Sequence, residues 1–362
     1  MNTITLTRRQ ALAGLSSLAA ASLAQAEQAP QSIGELPAGI APLADLANVL
    51  EFESMAAQKL APCDFASIAG SDRAFFERIT FRPRMMVPMM NLDLSLRLFG
   101  EKMFAPIMVA PISKLQTYHP EAEVGMARAA SAAKAWMVVS GNASMPLEKI
   151  TAESSTIFWY QVFMDGDPAA VRDKINLAVK SGCKAICITT NTPFISQGAC
   201  SGPAKLTEVS RPSIDWNVID QIRKGVNVPI LIKGIMTAEE AETAVKRGIQ
   251  GIIVSNYGGL LTPGMAPPME MLSGIVDGVA GKAPVLIDGN FRRGSDIFKA
   301  LAYGATAVMI GRPAVWGLTA YGPQGAQQVL EMLQTEVARD MAQSGKLTLK
   351  DIDRSVVKLH EA

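Results

Sequence analysis

From residue 104 onward, the hydrophobic and polar positions of the chain alternate between two patterns. Short apolar runs rich in β-branched residues end in Gly, Pro, Ser or Asn, and Ala-rich stretches of helical periodicity follow them. The eight runs are Phe104–Pro111, Ala135–Gly141, Ile157–Phe163, Lys184–Thr190, Val228–Gly234, Gly251–Asn256, Ala283–Gly289 and Ala307–Gly311. They are continuously apolar, which is typical of strands covered on both faces of a parallel sheet.

Helical patterns separate these runs, at Glu121–Ala133, Asp167–Ser181, Ala238–Arg247 and Ser295–Ala302. Thr237 and Asp167 stand where helix N-caps are expected. A helical extension from about Ala41 to Arg84 precedes the alternation, and Gln324–Ser344 predicts a closing helix. Eight β/α alternations predict an α/β fold, a (β/α)₈ TIM barrel with an N-terminal helical extension. A doubly wound open sheet is the alternative, because periodicity alone does not close a barrel.

The N-terminus has the features of an export signal. Thr7-Arg8-Arg9 precedes an apolar run from Ala11 to Leu23, and Ala24-Gln25-Ala26 supplies small residues for cleavage. The paired arginines resemble a twin-arginine signal, although an amphipathic helix is the alternative. We predict a signal peptide over residues 1–26, a linker over 27–40 and the barrel over 41–362, in a protein that is periplasmic or otherwise exported.

Composition and charge narrow the classes of function. The 362 residues are 49% hydrophobic and 19% charged, with a net charge of +1, which favours neither nucleic acid nor an anionic membrane as a partner. No internal run is long and apolar enough to span a bilayer. Two histidines and no Cys/His ligand spacing predict no His-based metal site. The Met cluster in Arg84–Asn91 is open to two interpretations, a copper(I) site or apolar packing.

Two Gly- and Arg-containing loops follow the last two predicted strands. They read Asp288-Gly289-Asn290-Phe291-Arg292-Arg293-Gly294 and Gly311-Arg312-Pro313. The corresponding loops of (β/α)₈ barrels often bind phosphate, since glycine lets the backbone approach the anion and arginine offers forked donors. Ordinary turns with solvated arginines are the alternative. Two such loops in this pair of positions favour a phosphate site.

The chain resembles the FMN-dependent α-hydroxy-acid dehydrogenase and oxidase family, which includes glycolate oxidase, lactate oxidase and lactate dehydrogenases. The resemblance covers most of the chain after about Phe75. It rests on Phe81-Arg82-Pro83-Arg84, Ala110-Pro111, His119-Pro120-Glu121, Gln161, Thr189, Lys233-Gly234, Ser255-Asn256, Asp288-Gly289, Arg292-Arg293-Gly294, Lys299-Ala300-Leu301 and Gly311-Arg312-Pro313. A structural role is expected for His119, because the family's catalytic histidine lies elsewhere.

The resemblance implies FMN as the cofactor and assigns residues to it. The flavin ring would lie against the backbone of Pro111 and Ile112. Its polar edge or ribityl chain would bind Ser140, Gln161 and Thr189. Lys233 would lie near flavin N1 and O2, where its charge stabilises the reduced ring. The ribityl chain and phosphate would bind Ser255, Asp288, Arg292, Gly311 and Arg312.

Several departures from the family fall on residues that face the substrate. Tyr257 replaces the histidine base, Leu260 the arginine that binds the substrate carboxylate, Asn191 the aspartate that orients the base, and Phe163 a tyrosine. A second substrate arginine has no counterpart near Gly198, the segment Thr192–Ile214 is shorter than in the family, and no tyrosine matches the N-terminal one around Ser67-Ile68. The losses are coherent, because an aspartate without its histidine would be an unpaired buried charge.

We therefore predict an FMN-dependent oxidoreductase of the CH–OH donor class with an altered small-molecule substrate and an unidentified electron acceptor. Lys233 and Tyr257 are the candidate catalytic residues, with Tyr257 as a hydrogen-bond donor or modest acid and base. Twin-arginine export suits it, since that route carries folded proteins with their cofactors. A non-catalytic FMN-binding scaffold is one alternative, and full replacement of the histidine by Tyr257 is another. The family often forms tetramers, so the resemblance implies a homotetramer.

Overall fold

A computed structural model describes residues 39–70, 73–84, 86–87, 90–164, 167–190, 215–257 and 266–361. The predicted signal peptide and most of the predicted linker lie outside these residues, as do Asn191, Gly198, Leu260 and the segment Thr192–Ile214. Contacts group Leu43–Ala362 into one compact unit. Within the described residues, no helix is both long and apolar enough to cross a bilayer.

The predicted barrel is confirmed: eight parallel strands of the described chain form a closed sheet. They are β1 Ile107–Val109, β2 Trp136–Ser140, β3 Phe158–Phe163, β4 Ile186–Thr189, β5 Ile230–Ile235, β6 Gly251–Val254, β7 Val285–Ile287 and β8 Ala307–Ile310. Each strand pairs with the next along the chain, and β8 pairs with β1. Seven strands lie within the predicted apolar runs, β5 extends one residue beyond its run to Ile235, and the open-sheet alternative is wrong.

One helix follows each barrel strand within the described residues. Three N-terminal helices, α1 Val49–Lys59, α2 Pro62–Ala66 and α3 Ala74–Glu77, precede α4 Ala122–Ala132, α5 Leu147–Ala152, α6 Pro168–Lys180, α7 Trp216–Arg223, α8 Ala238–Lys246, α9 Pro268–Val279, α10 Gly294–Ala302 and α11 Arg312–Ser344. Both predicted caps are confirmed, because the side chains of Asp167 and Thr237 accept hydrogen bonds from backbone N–H groups of α6 and α8. The closing helix begins earlier than predicted, at Arg312, and is interrupted by non-helical backbone at Tyr321 and Gly322.

The prediction of a continuous helical extension to Arg84 is wrong at its end. Ile79–Phe81 is a strand that pairs antiparallel with Val357–Leu359. This pairing joins segments almost 280 positions apart, so the local pattern carries no signal for it. Met86 and Met90 lie beyond this strand and are exposed, so neither packs in a strand.

Aromatic packing closes the N-terminal end of the barrel. An antiparallel hairpin, Leu96–Leu98 with Glu101–Met103, contributes Leu98 and Met103 to a buried cluster with residues of the barrel strands. Trp136 and Trp159 belong to this cluster, and their ring centroids are 5.9 Å apart. Cys187 also lies in this core as a small buried side chain. Because this end is filled, the opposite end holds the site.

Candidate active site

Side chains from the C-terminal ends of the strands and the following loops line a cavity of about 300 Å³. The strand ends contribute Gln161, Phe163, Thr189, Lys233 and Ile310, and the loops contribute Pro111, Ile112, Ser113, Tyr118, Tyr257, Asp288, Asn290, Phe291, Arg292, Gly311 and Arg312. Ser67 and Ile68 reach it from the N-terminal extension. The cavity therefore lies where (β/α)₈ barrels carry their chemistry.

Three buried polar side chains form a chain across the ends of β2, β3 and β4. Ser140 Oγ donates to Gln161 Oε1 at 3.2 Å, and Gln161 Nε2 donates to Thr189 Oγ1 at 2.8 Å. The hydrogen bonds among these three side chains offset part of the free-energy cost of burying them, and they hold Gln161 in one orientation. Gln161 and Thr189 line the cavity, whereas Ser140 lies behind Gln161 as a support.

Lys233 is buried at the end of β5 and has two close polar partners. Its ammonium lies 2.7 Å from Asp288 Oδ2 and donates to Ser255 Oγ at 2.7 Å. Gly234 makes this presentation possible: its φ is +110°, and a Cβ there would lie 2.6 Å from Thr190 O. The strand register shifts between Lys233 and Ile235. The local backbone therefore aims the lysine into the site.

Arg292 and Arg312 form a positive end of the cavity. The Arg292 guanidinium stacks on Trp316, with Cζ 4.5 Å from the ring centroid, and its Nη1 donates to Phe291 O at 3.0 Å. Its Nη2 is buried and has no hydrogen-bond partner among the described residues. Burial, and next the charge of Arg312, lower the pKa of Arg292 to about 9. An anion at this position would satisfy the donor and offset the repulsion.

Two carboxylates accept hydrogen bonds from the backbone N–H groups at the start of α10. Asp296 Oδ2 accepts from the N–H groups of Arg292 and Arg293 at 2.8 and 2.9 Å. Glu336 Oε2 accepts from the Gly294 N–H at 2.6 Å. The donors left for an anion are therefore the arginine side chains and the N-terminus of α11 at Gly311.

Arg73 fixes this loop from the N-terminal extension. It forms a two-pronged contact with Asp296, with distances of 2.9 and 3.0 Å, and donates to Asn290 O at 3.0 Å. Arg312 in turn donates to Asn290 Oδ1 at 2.5 Å and to Ala69 O at 2.9 Å. The extension thus holds the loop that carries Arg292.

Tyr257 and Phe163 form an aromatic wall. Their ring centroids are 6.2 Å apart, and Lys233 Nζ lies 5.1 Å from the Tyr257 centroid. Tyr257 has a φ of +61°, which is uncommon for a bulky residue, and its N–H donates to Ser255 Oγ at 3.2 Å. Lys233 therefore lies over the ring, and its ammonium is bonded to Asp288 and Ser255.

The structure brings the predicted cofactor residues together. Nine of them line the cavity: Pro111, Ile112, Gln161, Thr189, Lys233, Asp288, Arg292, Gly311 and Arg312. Ser140 and Ser255 do not line it but bond to residues that do. Both histidines of the sequence are described, and neither lines this cavity. His119 Nδ1 accepts from the Glu121 N–H at 3.2 Å, the structural role expected for it.

Sequence reasoning missed several residues of the site. Tyr118 follows β1, and the rule that strand-end loops carry the site could have found it. No local signal indicates Arg73 or Asp296, because their contact joins positions 223 residues apart. Ser67 was considered only as a position where a tyrosine is missing.

Comparisons with known proteins agree with this geometry. A sequence model described as FMN-dependent dehydrogenase matches residues 66–202 and 195–359. Similar proteins include a peroxisomal (S)-2-hydroxyacid oxidase of Arabidopsis thaliana, 35% identical over 86% of this chain and 96% of the relative. Glycolate oxidase of Spinacia oleracea is 34% identical over 86% of this chain and 95% of its own length.

Solved structures of mandelate oxidase have the same fold. One has a TM-score of 0.81 at 30% identity and covers 88% of this chain and 100% of the other. Another, an arginine-to-leucine variant of mandelate oxidase with 2-hydroxy-phenylacetamide, has a TM-score of 0.79 at 31% identity with the same coverage.

The residues of the cavity fit FMN, the cofactor of this family. The buried Nη2 of Arg292 and the second guanidinium, of Arg312, match a phosphate. Asp288 Oδ1 is also buried, and no described residue bonds to it, so it suits a hydroxyl donor such as those of a ribityl chain. A Cβ added at Gly311 would lie 3.8 Å from its nearest described neighbour, the Cβ of Ala110. The space beside this glycine therefore leaves room for a bound group.

Proposed function

The chain belongs to the FMN-dependent dehydrogenase family, and from that premise we propose that it oxidises a CH–OH substrate that carries no carboxylate beside the reacting carbon. Membership makes it an FMN-dependent oxidoreductase related to the hydroxyacid oxidases, which act on CH–OH donors. The proposed departure from those relatives is the substrate.

One observation supports the departure. Among the described residues that line the cavity, the cations are Lys233, Arg292 and Arg312. Lys233 is paired with Asp288, and the two arginines form the phosphate end. A carboxylate that is removed from water needs a charged hydrogen-bond donor as its partner. All three cations have other partners or roles, so none of them is assigned to a substrate carboxylate. The wall formed by Phe163 and Tyr257 suits an uncharged, partly apolar substrate.

The chain's own residues would hold the reactants as follows. Bound FMN supplies the two-electron acceptor for the oxidised carbon. Pro111 and Ile112 would contact its ring, and Gln161 and Thr189 would bond to its polar atoms. Lys233 would place a positive charge beside them, and its partners Asp288 and Ser255 keep that ammonium in one position.

Tyr257 would contact the substrate as a hydrogen-bond donor or modest acid and base. A phenol with an ordinary pKa near 10 is a weak base unless a cation lies at its oxygen. Lys233 lies over the ring at 5.1 Å and is bonded to Asp288 and Ser255, so Lys233 is not placed to make the phenol a stronger base. The non-catalytic scaffold has no support in the comparisons.

The test is oxidation by the purified holoenzyme. We expect lactate, glycolate and mandelate to reduce the bound flavin slowly or not at all under anaerobic conditions. Uncharged alcohols and amides with the same carbon skeletons should bleach its visible absorbance faster. Oxidation of any of these three acids at rates typical of hydroxyacid oxidases would refute the altered substrate.

We also propose that the protein is exported with its cofactor. The support is the paired Arg8 and Arg9 with the apolar run after them, and Cys63, which is disulfide-bonded as an oxidising compartment permits. An Arg8→Lys, Arg9→Lys double variant should accumulate in the cytoplasm with its N-terminal segment uncleaved. Unchanged export of this variant would refute a twin-arginine route.

A further inference from the structure

Two hydroxyl groups form a chain in the wall of the cavity. Tyr118, in the loop after β1, and Ser67, at the end of α2, both line the cavity. Tyr118 Oη lies 2.8 Å from Ser67 Oγ, and Ser67 Oγ lies 2.6 Å from the backbone oxygen of Asp64. Among the described residues, Ser67 is the hydrogen-bond partner of the tyrosine hydroxyl. Residues 51 positions apart therefore meet through one short contact.

The count of hydrogens sets the direction of this chain. A backbone carbonyl oxygen only accepts, so the single hydrogen of Ser67 is donated to Asp64. A hydrogen bond between the two hydroxyl oxygens needs a hydrogen atom between them. Tyr118 must therefore donate its own hydrogen to Ser67. Burial raises the pKa of Tyr118, which keeps the phenol protonated. The group that remains available on Tyr118 is a lone pair, which accepts hydrogen bonds and does not donate them.

We propose that Tyr118 is a specificity-determining residue that accepts a hydrogen bond from a neutral donor of the substrate, an amide N–H. Ser67 is the positioning residue that fixes this polarity. The inference rests on the proposed function, whose substrate class it narrows. A carboxylate has acceptor oxygens alone, so Tyr118 would present a lone pair to a lone pair and disfavour it.

Two substitutions test separately whether the Tyr118 hydroxyl is needed and whether Ser67 sets the direction of its hydrogen bond. Tyr118→Phe removes the hydroxyl and keeps the ring. Ser67→Ala keeps the tyrosine but removes the acceptor for its hydrogen, so the hydroxyl can turn and donate into the cavity. The first variant should lose discrimination between donor and acceptor ligands, and the second should shift it towards the carboxylate. Tyr303→Phe is a matched control, since Tyr303 lies at the end of α10 and does not line the cavity.

The experiment measures binding to the FMN-loaded protein with two probes of one skeleton that lack the oxidisable CH–OH group, phenylacetamide and phenylacetate. Each is titrated against the visible absorbance of the oxidised flavin at one pH. Tyr118→Phe should weaken phenylacetamide binding about fivefold, which corresponds to one ordinary hydrogen bond, and leave phenylacetate unchanged or tighter. Ser67→Ala should lower the ratio of the phenylacetate Kd to the phenylacetamide Kd, and Tyr303→Phe should change neither constant.

Three results would overturn the proposal. Weaker phenylacetate binding in Tyr118→Phe would show that the tyrosine donates to carboxylates. Equal weakening of both probes would show a packing role. An unchanged ratio in Ser67→Ala would show that the serine does not set the polarity. Rapid oxidation of mandelate by the wild-type protein would refute the proposed function. The role of Tyr118 would still be tested separately, by the ratio of the carboxylate Kd to the amide Kd in the two variants.

Discussion

Lys233 and Asp288 form a buried ion pair, with Nζ 2.7 Å from Oδ2, that joins the ends of β5 and β7. Ser255, which follows the intervening strand β6, accepts from the same ammonium at 2.7 Å. Only 6% of the lysine side chain and 13% of the aspartate side chain are exposed. The pair therefore ties three successive strand ends together and leaves the lysine charge compensated before any ligand binds.

Breaking this pair should be costly. In Asp288→Asn the buried ammonium loses its counter-ion, and we expect the free energy of unfolding of the apoprotein to fall by about 3–5 kcal/mol, the usual cost of an orphaned buried charge. Urea denaturation measures this. Glu242→Gln is the control, because it breaks the exposed pair with Lys246 at 3.1 Å and should cost at most about 1 kcal/mol. If the free energy of unfolding falls equally in the two variants, the buried pair does not stabilise the fold more than an exposed pair does.

Arg292 should contribute to cofactor binding and not to the stability of the apoprotein. Arg292→Met removes a buried charge whose pKa burial lowers, so the melting temperature without FMN should stay the same or rise. Added FMN raises the melting temperature of the wild type by binding the folded state, and this increase should shrink or vanish in the variant.

Thermal melts with and without FMN compare the two states. Arg354→Met is the matched control, since Arg354 pairs with the exposed Asp277 and does not line the cavity. It should keep the full FMN-dependent increase. A variant of Arg292 that retains this increase would show that the phosphate lies elsewhere.

Asp340 should make stability depend on pH. Burial, and less strongly the charge of Glu336, raise the pKa of Asp340 from 3.8 to about 6. The folded chain then binds this proton more tightly than the unfolded chain, so stability is lost as the pH rises from about 4 to about 6. Asp340→Asn should therefore be more stable than the wild type by about 1–2 kcal/mol at pH 7 and by nearly nothing below pH 4.

Urea denaturation at pH 7 and pH 4 measures the difference between the two proteins. Asp173→Asn, which changes an exposed carboxylate of α6, should show no such pH-dependent gain. If Asp340→Asn differs from the wild type equally at both pH values, its effect is not one of protonation.

Restoring the family's substrate groups should restore its substrate. Histidine is among the residues found more often at positive φ, so Tyr257→His suits a backbone with φ of +61°. Combined with Leu260→Arg, it should raise kcat/KM for mandelate or lactate at least about tenfold, since a positioned base alone contributes about 10²–10⁴-fold. Steady-state oxidation by the FMN-loaded variants measures this. No gain in the double variant would show that other replacements, such as Phe163, block the acids.

Much of the fold follows from local sequence. Strands buried on both faces must be apolar throughout, so each of the eight barrel strands is visible as an uninterrupted run. The strand-end rule placed Lys233, Arg292 and Arg312 around one cavity, because parallel strands bring their carboxyl ends to the same side. The strand at Ile79–Phe81 escaped prediction, since its partner lies at the other end of the chain.

The sequence by itself determined the barrel and the loops that carry Arg292 and Arg312, because these depend on residue type and order. The tertiary structure decided that Lys233 pairs with Asp288, that Asp296 accepts from the amides before α10, and that the hydroxyls of Tyr118 and Ser67 meet. Each of these depends on which atom lies within about 3 Å of which other atom. Hydrogen bonds and ion pairs weaken steeply beyond that distance, and residue order along the chain does not specify it.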